Sequence, residues 1–85
     1  MLKGKLSDGY EFEILEESLN DWEVIEAIDE VEEYPQRIVT VAKRLLGDKG
    51  YKKLKEECRV DGRVKFDTMS QKVFEILESC GETKN

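Results

Sequence analysis

The sequence predicts an α+β fold: an N-terminal β-hairpin followed by about four α-helices in one mostly helical domain. Three observations carry this. Residues 10–14, YEFEI, alternate apolar and acidic residues after a Ser-Asp-Gly turn. Two longer stretches, 20–34 and 36–46, carry apolar residues at helical spacing and meet at the single proline, Pro35. A third helical pattern, 67–80, closes the chain before a polar GETKN. Eighty-five residues suffice for one domain over 1–85, with the hairpin at 1–14, the helical part at 20–80 and a flexible tail at 81–85.

In the hairpin, Tyr10, Phe12 and Ile14 alternate with Glu11 and Glu13, the period of a half-buried strand. Leu2 and Leu6 belong on its partner. Asp8-Gly9 supplies the turn, where a residue of positive φ is needed. A lone hairpin is marginal in water and must lie against helices or another chain.

The first helix is expected to start at Asn20 as N-cap, with Glu23 completing a capping box and Leu19 and Val24 a hydrophobic staple. Trp22, Val24, Ile25, Ala27, Ile28 and Val31 form a wide apolar face, opposite Glu26, Asp29, Glu30, Glu32 and Glu33. Pro35 stops this helix, because the residue before a proline avoids the α region, and it suits the first turn of the next. There Ile38, Val41, Ala42 and Leu45 follow the i, i+3, i+4, i+7 rule, with Val39 and Leu46 widening the stripe.

The segment GDKGYKKLKEECRVDGRV, 47–64, poses the main chemical question. Two glycines before a lysine pair invite comparison with a phosphate loop. That loop requires GxxxxGK[ST] after a buried strand. Here the spacing differs, a helix precedes the glycines, and Asp48 would repel a phosphate. Gly47 instead ends one helix as a left-handed C′ residue, and Asp48 caps the next. Tyr51, Leu54 and Cys58 face inward on that helix, while Lys52, Lys53 and Lys55 form a solvated face. Asp61-Gly62 marks a second short hairpin or an open loop. Asp67 caps the last helix; Met69, Val73, Ile76, Leu77 and Cys80 make its stripe, Phe66 and Phe74 flank it, and Gly81 ends it.

Composition narrows the function. The chain has no histidine, so the commonest general base is missing, and its two cysteines, Cys58 and Cys80, have no imidazole to activate them. Neither Asp-Gly turn has the ligand spacing of a calcium loop. A non-enzymatic protein without cofactor or metal is expected, with both thiols reduced and packed. The net charge of −6 argues against a nucleic-acid partner, whose affinity rests on phosphate neutralisation. An acidic helix that mimics DNA is a less common use of such a face than simple solvation. No stretch approaches the 18 apolar residues of a membrane span, and the N-terminus has no signal-peptide pattern, so a cytoplasmic location is expected.

The charge is uneven: residues 1–34 carry −10, residues 35–60 carry +5 and residues 61–85 carry −1. Either an acidic layer packs beside a basic one in the same molecule, or acidic and basic faces of different copies meet in a homo-oligomer. Complementary charge guides encounter and register more than it adds affinity. Trp22 sits at a first helical turn, where a large ring can straddle core and surface. A tryptophan there is more often core. If it is instead an anchor, then Trp22, Glu26 and Asp29, with Lys52 and Lys53 on the basic segment, are the candidate partner-binding residues.

The order of pieces — LSDGYEFEI, NDWEVIEAIDE, VAKRLLGDKGYKKLKEECRVDGRV, a closing helix and GETKN — resembles small tail assembly chaperones of long-tailed phages and prophages of Gram-positive bacteria. The likeness spans nearly the whole chain and rests most on LLGDKGYKKLKE, VDGRV and the TKN terminus. It implies a protein encoded between the tail tube and tape-measure genes. Such a chaperone coats the tape-measure protein, helps recruit tail tube subunits, self-associates, and is absent from the finished virion. Many such families also make a longer product by ribosomal frameshift. The resemblance transfers no catalytic residue. A small acidic regulatory or inhibitory module is the alternative.

Overall fold

The computed structural model describes the backbone of residues 2–82 and the side chains of residues 2–80. Strands β1 (Leu2–Lys5) and β2 (Glu11–Ile14) form an antiparallel hairpin in which Leu2 faces Ile14 and Gly4 faces Phe12. Glycine is needed at position 4: a Cβ there would sit 2.5 Å from the Phe12 ring, which lies over the backbone. The three-residue loop closes through Leu6 N–H to the Tyr10 carbonyl, with Gly9 at φ 94°. Asp8 Oδ1 accepts from the Tyr10 N–H and completes an Asx turn. The loop is also pinned to the last helix, where Glu75 accepts from the Ser7 hydroxyl at 2.9 Å and Lys72 pairs with Asp8. The hairpin therefore lies on helices, as its marginal intrinsic stability requires.

Three α-helices follow, rather than about four: α1 (Trp22–Glu30), α2 (Ile38–Cys58) and α3 (Phe66–Glu82). The second and third expected helices are two arms of α2. They meet at Gly47, whose φ 74° and ψ 173° break the helical path while the helix resumes immediately beyond. The break leaves carbonyls of the first arm short of helical partners. One is met from outside: the buried Ser18 hydroxyl donates to the Arg44 carbonyl at 2.8 Å. At Gly50 the second arm lies close to the hairpin, with the Glu13 carbonyl 3.8 Å from where a Cβ would stand.

The N-cap of α1 is Asp21, not Asn20. Residues Glu16–Asn20 form a 3-10 helix, and Asp21 Oδ1 accepts from the Glu23 N–H at 2.9 Å. Asn20 and Asp21 are both competent caps. The 3-10 turn, held by Ser18 against α2, selects the second. Replacing Asp21 by Ala should cost ~0.5–2 kcal/mol, the usual effect of losing a cap. Asn20→Ala should leave the chemical midpoint nearly unchanged, and the reverse ranking in urea melts would contradict this assignment.

Helix α1 also ends early, at Glu30. Glu32 and Glu33 place negative charge at a helix C-terminus, where the dipole disfavours it, and Pro35 holds Tyr34 in a non-helical conformation. Pro35–Arg37 make a short 3-10 helix before α2 begins at Ile38. Asp67 lies in the first turn of α3 rather than at its cap, which suits the dipole equally. The helix continues through Gly81 to Glu82, since glycine ends a helix only where it turns left-handed. The rest of the expected tail, residues 83–85, lies outside the described residues. Between α2 and α3, β3 (Arg59–Val60) and β4 (Arg63–Val64) form the second hairpin, with positive φ at both Asp61 and Gly62, a type I′ turn.

One apolar cluster joins Phe12 and Ile14 of β2, Ala27 of α1, Ile38, Val41, Leu45 and Leu54 of α2, and Val73 and Ile76 of α3. Helix α2 is the hub, packed against α1, α3 and β2.

Candidate functional site

The apolar face expected of α1 is split. Val24 and Ala27 are buried, whereas Trp22 is 75% exposed, Ile25 51% and Ile28 36%. With 3.6 residues per turn, Trp22 stands about 200° from Val24 and points away from the core. Trp22 and Ile25 therefore form an apolar ridge on the outside of α1, and Ile28, about 120° round from Trp22, continues it toward the core edge. Glu26 and Asp29 are exposed beside Trp22, at i+4 and i+7, and have no ion pair among the described residues.

The rest of the acidic segment is partly neutralised within the molecule. Arg44 of α2 pairs with Asp21 at 3.2 Å and Glu23 at 2.7 Å, and Arg37 pairs with Glu30 at 3.1 Å. Such exposed pairs contribute little stability. An acidic layer beside a basic one is thus realised at the α1–α2 seam, while the outer side of α1 keeps its charge.

Lys52 and Lys53 lie on the second arm of α2, away from the α1 ridge in sequence and in element. Lys53 is engaged over the Tyr10 ring at 5.7 Å; Lys52 is exposed. Burial, with help from the nearby Glu57 carboxylate, pushes the Tyr10 hydroxyl above its ordinary value. The five candidate residues thus fall into two groups of opposite charge, not one site.

A second surface feature was not visible in sequence patterns. A cleft of ≈260 Å³ opens between α2, β4 and α3, lined by Val39, Ala42, Tyr51, Phe66, Met69 and Ser70 among others. Val39 and Phe66 are exposed at its edge. Lys43 and Lys55 stand over the Tyr51 ring at 5.8 and 5.2 Å, so one flank is cationic. The Ser70 Oγ is shielded from water and has no hydrogen-bond partner among the described residues. The cleft joins residues up to 35 positions apart (Ile38 and Val73), so no local period announces it.

Both cysteines are buried. Burial raises the thiol pKa of each, with Glu57 adding to the effect at Cys58. A raised pKa lowers the thiolate fraction at neutral pH, and thiolate is the reactive form. Alkylation of the native protein should therefore be slow and should accelerate on unfolding; rapid labelling of both cysteines in the folded protein would contradict this packing. Among the described residues, no group of three or more histidine, cysteine or acidic side chains is placed to hold a metal ion, and no helix is long and apolar enough to cross a membrane.

Comparison with known protein families, curated proteins and solved structures finds no match. The geometry defines a small α+β domain whose distinctive surfaces are an acidic, apolar-ridged helix and an apolar cleft with a cationic flank.

Proposed function

We propose that this protein is a tail assembly chaperone of phages or prophages, acting without catalysis. It binds the tape-measure protein, and with it tail tube subunits, in the host cytoplasm, and it leaves before the virion is complete. The observation that supports this reading is the α1 ridge. Trp22, Ile25 and Ile28 offer apolar contact at helical spacing, and Glu26 and Asp29 border it with uncompensated charge. Such a surface suits an extended amphipathic helix with apolar anchors at i, i+3 and i+7 and basic flanks. A long helical tape-measure protein supplies that chemistry. The sequence resemblance gives the reading its biological setting.

Co-expression with the tape-measure protein of the same genome tests it. The expected result is a soluble complex recovered through either partner. If the tape-measure protein stays insoluble, no complex forms and tail tube subunits also fail to bind, the chaperone reading falls. The same acidic ridge then favours an inhibitor that occupies a basic site on another protein.

A further inference from the structure

We propose that Trp22 of one copy inserts into the α2–α3 cleft of a second copy, so that the protein assembles head to tail through two different surfaces. The inference rests on the self-association that the chaperone reading implies and adds the two surfaces that meet; its test uses the chain alone, so its failure and a failure to bind the tape-measure protein are read separately.

Four observations select this occupant. The first is size. An apolar cavity of about 150 Å³ accommodates benzene, so ≈260 Å³ leaves room for the two fused rings of indole. The second is exposure. Trp22 is the chain's only tryptophan and is three-quarters exposed, an unusual position for the largest apolar side chain unless something covers it. The third is polarity. Indole carries one N–H donor at its edge, and the Ser70 Oγ, shielded and without a partner in its present rotamer, gains one if χ1 turns it toward the cleft. The fourth is charge. Glu26 and Asp29 accompany Trp22 on α1, while Lys43 and Lys55 flank the cleft at Tyr51.

The donor ridge and the receiving cleft are separate patches. Each copy can give its Trp22 to one neighbour while receiving that of another. Such a heterologous contact closes into a ring or propagates as a filament, according to the rotation between copies. A helical partner that covers the ridge competes with the next copy for the same tryptophan, so partner binding shortens the assembly.

The interface is tested on the purified chain by sedimentation across concentration and salt. Two variants carry one lesion each: Trp22→Ala removes the insert, and Phe66→Glu blocks the cleft mouth. Both positions are exposed, so folding should survive; Val39→Glu replaces the second variant if circular dichroism shows that it does not. The wild type should associate, more weakly as salt rises, and its tryptophan emission should move to the blue with concentration. Each variant alone should associate at least tenfold more weakly. A mixture of the two should form a heterodimer and stop there, because each supplies the half the other lacks. A wild type that stays monomeric throughout, association untouched by either lesion, or a mixture of folded variants that stays monomeric would each overturn the proposal.

Discussion

Replacing Leu54 by Ala should lower the stability of the domain by ~2–5 kcal/mol, the range for deleting a buried leucine side chain. Leu54 has no exposed surface and lies on the second arm of α2, the helix that meets α1, α3 and β2. Its side chain is part of the cluster that joins Phe12 and Ile14 of the hairpin to Val73 and Ile76 of α3. The cavity left by truncation can collapse little, since its walls belong to elements separated by most of the chain. A domain of 85 residues has about 4–13 kcal/mol of total stability at ordinary per-residue values. The variant is therefore expected to lose a large share of it, with a fall in Tm of about 10 °C or more. Urea melts monitored by circular dichroism provide the measurement. Lys52→Ala, on the exposed side of the same arm, serves as the control and should stay within about 0.5 kcal/mol of wild type. A Leu54→Ala midpoint indistinguishable from that control would mean that α2 is not the hub of the core.

The inward face of each arm of that hub was legible in the sequence because its signals are local, but their union in one helix was not, since Gly47 reads as a stop. Leu54 stands at i+3 from Tyr51 and i−4 from Cys58, a spacing that only an inward helical stripe explains. Gly9, Gly47 and Gly62 each sit where a turn or break was expected, and each adopts positive φ. The errors arise where a tertiary contact decides between two local options. Asn20 and Asp21 offer equal caps to α1, and Ser18 reaching the Arg44 carbonyl, 26 residues away, settles which is used. The split of the α1 face is different, because the sequence contained the answer. Position 22 lies nearly opposite position 24 on any helix, so Trp22 and Val24 cannot both face the core. The cleft had no sequence signal at all. Its walls come from both arms of α2, from β4 and from α3, and neither their separation nor the unmatched Ser70 hydroxyl follows from periodicity.

Trp22→Ala should separate binding from stability more sharply than any other substitution. Because the ring is exposed, its loss should leave the folded domain within about 0.5 kcal/mol of wild type. Its loss from an interface should cost on the order of 2 kcal/mol or more, since buried tryptophans dominate the energetics of contact surfaces. That is about a thirtyfold loss of affinity for a helical partner. Glu26→Gln and Asp29→Asn should act differently. They border the ring, so they should slow association and flatten its salt dependence while changing dissociation little. Phe66→Glu provides the decisive contrast. It blocks the cleft but leaves the ridge intact, so it should retain the helical partner and, by removing competition from the next copy, bind it somewhat more tightly. Calorimetric titration of the four variants with the tape-measure protein, beside their thermal melts, reads all of these effects. A Trp22→Ala protein that melts well below wild type would place the ring in the core after all. One that melts normally and binds with wild-type affinity would remove the α1 ridge from the interface.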